Sequence, residues 1–264
     1  MADEITKGII DKADGVLSEV YKDAISPIVK PVGDILSFLP RTVKLALSGW
    51  EKWLINGEET IRLTAESVRE KIQAIPEEKL VEPEPYVAIP AMQQLSYCVN
   101  NEELRDLYAN LLVSSMNADK KWQVHPAFVD IIKQLTPDEA KIIKSVPEIK
   151  SHFMPAIDVK LYSKDDSRVR GHKLFITNFA TIGLDVIENK MNICSYIDNL
   201  MRLKILEEPP VYRLTNEELY APLESHPILE AMIPQSYSQI FDIKFAHKAI
   251  QITNFGLLFK KICC

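Results

Sequence analysis

The sequence predicts a mostly α-helical protein, with an N-terminal helical bundle followed by a winged-helix-like α+β portion that carries a small β-hairpin. Three observations predict it. With 8 glycines against 16 prolines, the chain is punctuated mainly by proline, and the apolar residues between these breaks recur at helical spacing. Thr136-Pro137-Asp138-Glu139 has the form of a capping box with proline at the first helical position. In the C-terminal half, helical patterns give way to a strand-like segment and two alternating runs, which is the element order of a winged helix. The composition, 47% hydrophobic and 26% charged over 264 residues, suits a folded domain with a substantial core and excludes a chain disordered throughout.

From Ile5 to about Val29, apolar residues recur as on one helix face (Ile9, Ile10, Val16, Leu17, Val20). A second pattern runs through Ile28, Val32, Ile35, Leu36 and Leu39, segmented by Pro27, Pro31 and Pro40. A third carries Val43, Leu45, Leu47, Trp50 and Trp53. Glu58 to Ile75 reads as a more charged helix. Residues 1–75 therefore form an expected helical region, and residues 76–89, rich in proline and glutamate, an expected linker. The third region is 90–264, opening with a helix that has Pro90 at its first position. Asn101 then caps a helix with Glu102 and Glu103 near its positive end and a buried stripe of Leu104, Leu107, Tyr108, Leu111, Leu112 and Met116.

After the capping box a helix is expected from Pro137 to about Val146, then a short strand over Asp158 to Leu161. Phe175-Ile176-Thr177-Asn178-Phe179 recurs in part as Ile252-Thr253-Asn254-Phe255. In both places a β-branched stretch is expected to precede a Thr/Asn cap and a helix. Helices are thus predicted over Phe179 to about Glu188 and Asn192 to Leu203, followed by a strand-like segment over Ile205 to Leu206 and Val211 to Leu214. Ile240 to Phe245 and Ala249 to Thr253 then pair as the hairpin. The expected core includes Leu104, Leu107, Leu111, Ile142, Leu200, Leu203 and Phe255.

Several function classes are argued against. The net charge of -6 has the wrong sign for a nucleic-acid binder, and the presumptive recognition helix offers only Lys190, Arg202 and Lys204 against Glu188, Asp198, Glu207 and Glu208. These three cations form the candidate interaction surface. No GxSxG, HExxH, Walker loop or GxGxxG occurs, so an enzyme is not expected and no cofactor or small-molecule substrate is identified. Pro-Asp and Glu-x-Lys overlap within one helical turn, which is not the spacing of a metal-dependent nuclease. Cys98, Cys194, Cys263 and Cys264 form no CxxC pair, and the five histidines never fall three or four residues apart, so no metal site is expected. The acidic start and the short apolar runs predict a cytoplasmic protein without a spanning helix.

Three segments together resemble the Abi-alpha (abortive infection alpha) family of bacterial proteins. They are Glu102 to Met116 continuing to Val124-His125-Pro126-Ala127-Phe128, Gln134 to Lys141 around the capping box, and Asp198-Asn199-Leu200-Met201-Arg202-Leu203. Ile252 to Phe259 fits the family's closing strand-to-helix pattern. Lys204-Ile205 stands where Gly-Leu would be expected, and Asn254-Phe255 where Pro-Leu is usual. The resemblance implies a role in defence against phage and supplies no catalytic residues. The expected function is therefore a non-enzymatic, abortive-infection-type defence protein acting through association with a protein partner or with itself. Two alternatives stand beside it: a winged-helix DNA-binding regulator, and a membrane-active effector that lays the 28–47 segment on a lipid surface through Val32, Leu36, Leu39 and Val43.

Overall fold

The computed structural model describes residues 67–264 apart from 69, 96–97, 99–100, 149–152, 165–170 and 211–213. The helices expected between Ile5 and Leu54, with the face Val32, Leu36, Leu39 and Val43, lie outside the described residues, and no N-terminal bundle is part of the described fold. The chain divides into two compact units, residues 1–100 with 112–122, and residues 101–111 with 123–264.

In the first unit, a short 3-10 turn over Glu77–Lys79 leads to a bridge between Leu80 and Asn117. Val81 N donates to Met116 O at 2.9 Å and Ala118 N to Lys79 O at 2.9 Å. Helix α1 follows over Pro85–Leu95. Pro90 lies inside this helix and not at its start, which corrects the expected boundary. Pro85 is the proline that occupies the first position, where a missing N–H costs nothing. The interior Pro90 removes one helical hydrogen bond, offset by burial of Val87, Ala88, Ala91, Met92 and Leu95.

Helix α2 spans Glu102–Ser115, and its residues up to Leu111 belong to the second unit. Leu104, Leu107, Tyr108 and Leu111 form its buried stripe there, as the spacing predicts. Helix α3, Ala127–Lys133, buries Phe128, Val129, Ile131 and Ile132, and the Tyr108 hydroxyl donates to Val129 O at 3.2 Å. Helix α4, Pro137–Ser145, begins with the full capping box: Glu139 N donates to Thr136 Oγ1 at 3.2 Å and Thr136 N to Glu139 Oε2 at 2.6 Å. Ile142 and Ile143 are fully buried.

The winged helix is contradicted here. β1 (Met154–Ser163) and β2 (Lys173–Phe179) form an antiparallel pair before helix α5 (Ile193–Arg202) begins. β3 (Leu206–Glu207) follows α5, then three short helices, α6 (Ala221–Glu224), α7 (Pro227–Met232) and α8 (Tyr237–Ile240). The expected hairpin is one unbroken strand, β4 (Phe241–Ile252), which pairs with all ten residues of β1. The sheet has four antiparallel strands in the order β2-β1-β4-β3. The expected helix from Phe179 to Glu188 is a series of turns instead, because Gly183 adopts φ +68° and a helix cannot run through it.

Helix α5 buries Ile193, Ile197 and Leu200 and contacts α4 and β2. It ends in a Schellman motif, with Ile205 N donating to Leu200 O at 2.9 Å and Lys204 N to Met201 O at 3.0 Å, and with Lys204 at φ +59°. The sequence is thus a lysine where the backbone favours glycine. The final helix α9, Asn254–Cys263, is capped by Thr253, whose Oγ1 accepts from Gly256 N at 2.8 Å. Asn254 occupies its first position, where proline is readily accommodated. Of the expected core, Leu104, Leu107, Leu111, Ile142, Leu200 and Leu203 are buried, whereas Phe255 is only half-buried, its ring 5.3 Å from Phe128 and 5.6 Å from His125.

Candidate functional site

Polar side chains of the second unit gather in four places, at the two ends of α4 and at two positions on the sheet. At the start of α4, Asp138 accepts from Glu188 N and Asn189 N, both at 3.0 Å, and from the Tyr196 hydroxyl at 3.2 Å. Burial pushes its carboxyl up, but these donors and nearby Lys141 outweigh burial and hold it below the usual carboxylate range. The carboxylate therefore fastens the 188–189 turn and α5 to the start of α4. Asn199 extends this contact, its Nδ2 donating to Glu139 Oε1 at 2.7 Å and to Gln134 O at 3.1 Å.

Opposite Asp158 of β1, strand β2 carries an extra residue. Ile157 pairs with Phe179 but Val159 with Ile176, so Thr177 and Asn178 together face Asp158 in a β-bulge. Asn178 sits at φ +57°. Its N–H donates to Asp158 Oδ1 at 2.8 Å, and its Nδ2 donates to Asp198 Oδ1. Asp158 also pairs with Lys248 of β4 at 2.9 Å, and Lys248 reaches Glu208 at 3.3 Å. Beside this group, burial and then the carboxylates of Asp198 and Asp158 push the Cys194 thiol up to about 12. A thiol held in its protonated form is not a nucleophile at neutral pH.

In β4, His247 has Nδ1 2.7 Å from Glu217 and Nε2 against Glu224, and its ring stacks on Tyr220 at 4.0 Å and 3°. The Tyr220 hydroxyl donates to Lys248 O and accepts from Leu214 N, both at 3.0 Å. Both imidazole nitrogens are engaged, so the ring serves to fasten the 214–224 segment to the sheet and has no nitrogen open to a substrate. The fourth place is the far end of α4, where the buried Lys260 of α9 donates to Lys144 O at 2.7 Å and to Val146 O. A cation at these carbonyls satisfies acceptors that the helix end leaves open. Among the described residues no three His, Cys, Asp or Glu side chains converge to hold a metal ion, and no helix is long and apolar enough to cross a membrane.

The three expected surface cations are not alike. Arg202 donates through Nε and Nη2 to Asn199 Oδ1 at 2.9 and 2.6 Å and through Nη1 to Gln134 Oε1 at 2.9 Å, so its guanidinium braces the α3–α4 turn. Lys204 is exposed at the αL position after α5, and its carbonyl accepts from Thr253 Oγ1. Lys190, exposed in the 3-10 turn Lys190–Asn192, lies in sequence between two exposed apolar residues, Val186 (45% exposed) and Met191 (49%). Asp158, Asn178, His247 and Lys248 escaped the sequence reading. The signal at Asp158 and Asn178 was a polar residue between β-branched or aromatic neighbours, whereas His247 and Lys248 stand between Ala246 and Ala249 and carried no such signal.

The family model described as abortive infection alpha matches residues 56–263. The chain belongs to the abortive infection alpha family. The family match spans every described strand and helix. It leaves out Val32, Leu36, Leu39 and Val43, so the expected membrane or partner face lies outside both the matched and the described residues. No curated protein and no solved structure matches the chain.

Proposed function

We propose that this abortive infection alpha protein is a phage-defence factor that acts in the bacterial cytoplasm by binding a protein partner, without catalysing a reaction. The observation that carries the defence reading is the family match over residues 56–263. Support for binding over catalysis comes from the polar clusters. Asp138, Asp158, His247 and Lys260 are each engaged with backbone groups or opposite charges that join one element to another. Among the exposed groups beside α5 are two apolar side chains, Val186 and Met191, with Lys190 next to them in sequence, and apolar anchors with a charged neighbour suit a modest protein interface with a polar rim.

The test is phage challenge of bacteria carrying the gene with its native neighbours, scoring plaque formation and cell survival at high multiplicity. Reduced plaquing with death of the infected cells is expected. Val186→Glu with Met191→Glu should restore plaquing while leaving the thermal midpoint of the purified protein unchanged, because both side chains are exposed. Normal plaquing on every phage of a broad panel would sink the defence reading. Defence that persists in the double variant would sink the assigned contact surface.

A further inference from the structure

Three strands of the sheet present an unusual row. Lys160 of β1 lies directly opposite Lys244 of β4 on one side and Leu174 of β2 on the other, and directly opposed residues in antiparallel strands share a face. Two lysines facing each other across the central strands repel, and such pairs are normally destabilising. Neither has an acidic partner within ion-pair distance among the described residues. Lys244 instead lies 4.8 Å over the ring of Tyr162, the next residue of β1 on the same face. The acids flanking the pair on this face are already met: Asp242 opposite Tyr162 by Lys164 at 3.8 Å, and Asp158, two residues before Lys160, by Lys248 at 2.9 Å. His172 contacts Tyr162 at 5.3 Å between ring centroids and is itself exposed, and Leu174 is 48% exposed.

The row therefore combines two like charges held in register, a tyrosine, an outer imidazole and an exposed leucine. An anion between the lysines would relieve their repulsion, and rings with an apolar neighbour offer flat surfaces to unpaired bases. We infer that this open face of the sheet, Lys160, Tyr162, His172, Leu174 and Lys244, binds single-stranded nucleic acid, with phosphate at the lysine pair and bases against His172 and Leu174. The net charge of -6 opposes the approach of a polyanion, and the paired lysines supply the local positive patch that offsets it. The poor basic content of α5 does not bear on it, since a sheet that stacks bases reads single strands without placing a helix in a groove. A duplex keeps its bases inward and would use only the lysines. This inference stands independently of the defence reading.

The full chain would be titrated by fluorescence anisotropy against 5′-labelled 20-nucleotide oligouridylate and oligothymidylate, a 20-base-pair duplex and anionic phospholipid vesicles. Both single strands should bind, and more tightly than the duplex or the vesicles. Lys160→Gln with Lys244→Gln should weaken binding at least about tenfold. It should also lower the slope of log affinity against log salt by about 1.4, as expected for two phosphate contacts on a single strand. His172→Ala with Leu174→Ala should weaken binding without changing that slope. The lysine double variant should melt close to the wild-type temperature, because relief of the repulsion and loss of the Lys244–Tyr162 contact act in opposite directions. The inference is overturned if neither single strand binds, if duplex or vesicles bind as tightly, or if the lysine double variant binds like wild type.

Discussion

Ile176-Thr177-Asn178-Phe179 and Ile252-Thr253-Asn254-Phe255 share their four residues in order, and each ends a strand of the same sheet. Beyond Ile252 the chain enters a helix: Thr253 N donates to Ile205 O at 3.0 Å, Thr253 Oγ1 donates to Lys204 O and accepts from Gly256 N, and Asn254 takes the first helical position. At the first copy, the carboxylate of Asp158 takes the Asn178 N–H, the backbone turns left-handed at φ +57°, and Phe179 remains in the ladder opposite Ile157. Threonine and asparagine are good at capping and good at tolerating the left-handed region. What differs is the partner across the sheet, a backbone carbonyl at Thr253 and a carboxylate at Asn178. The tetrapeptide supplies a capacity, and the tertiary partner selects which half of it is used.

Proline at the asparagine position separates the two copies most sharply. Asn178→Pro should cost more than about 3 kcal/mol, because proline cannot adopt φ +57° and has no N–H for Asp158. A melting temperature close to wild type would show that the bulge is not as described. Gly256→Ala comes next, at about 3 kcal/mol, since a Cβ there would lie 2.2 Å from the Ile205 carbonyl oxygen, a backbone atom with little freedom to yield. A denaturation midpoint shifted by less than a third of that would place α9 farther from the α5–β3 turn. Thr253→Ala should cost about 1–2 kcal/mol by loss of the cap, against under about 0.5 kcal/mol for Thr177→Ala, which caps nothing. Equal losses in urea titrations of the two variants would erase the distinction between the copies. The smallest effect carries the opposite sign. Asn254→Pro should stabilise by about 0.5 kcal/mol, as a proline pre-set for the first helical turn, and raise the melting temperature by about 1–2 °C. Destabilisation would mean that Asn254 N–H has a partner.

What the sequence made legible was local. The capping box at Thr136, the stripe from Leu104 to Leu111, α5 and the Thr253 cap all depend on residues within one or two helical turns of each other, and all stand in the structure. What it hid was long-range. Strand β4 looked like a hairpin because His247 and Lys248 interrupt its apolar pattern, as a turn would. In the fold, Glu217 and Glu224 hold His247, while Asp158, 90 positions away, holds Lys248, so the polar pair stays inside a continuous strand. The first copy of the tetrapeptide misled for the same reason, since nothing near Asn178 in sequence announces Asp158. Of the candidate surface, Lys190 and Lys204 could be read as exposed cations. The involvement of Arg202 with Asn199 and Gln134 depends on how α5 lies against the α3–α4 turn.

Lys260 joins the end of α4 to a helix more than a hundred positions further along, and β1 waits for β4 across a similar stretch of chain. During synthesis on the ribosome, the earlier helices of the second unit therefore emerge long before the strand and helix that cover them. Until residues 241–263 have left the exit tunnel, the carbonyls at Lys144 and Val146 and the unpaired edge of β1 stay open to water or to other chains. A chain of this kind completes its fold late and slowly, as contacts distant in sequence dictate. Overproduction should accordingly burden chaperones most in the interval between the emergence of β1 and that of residues 241–263.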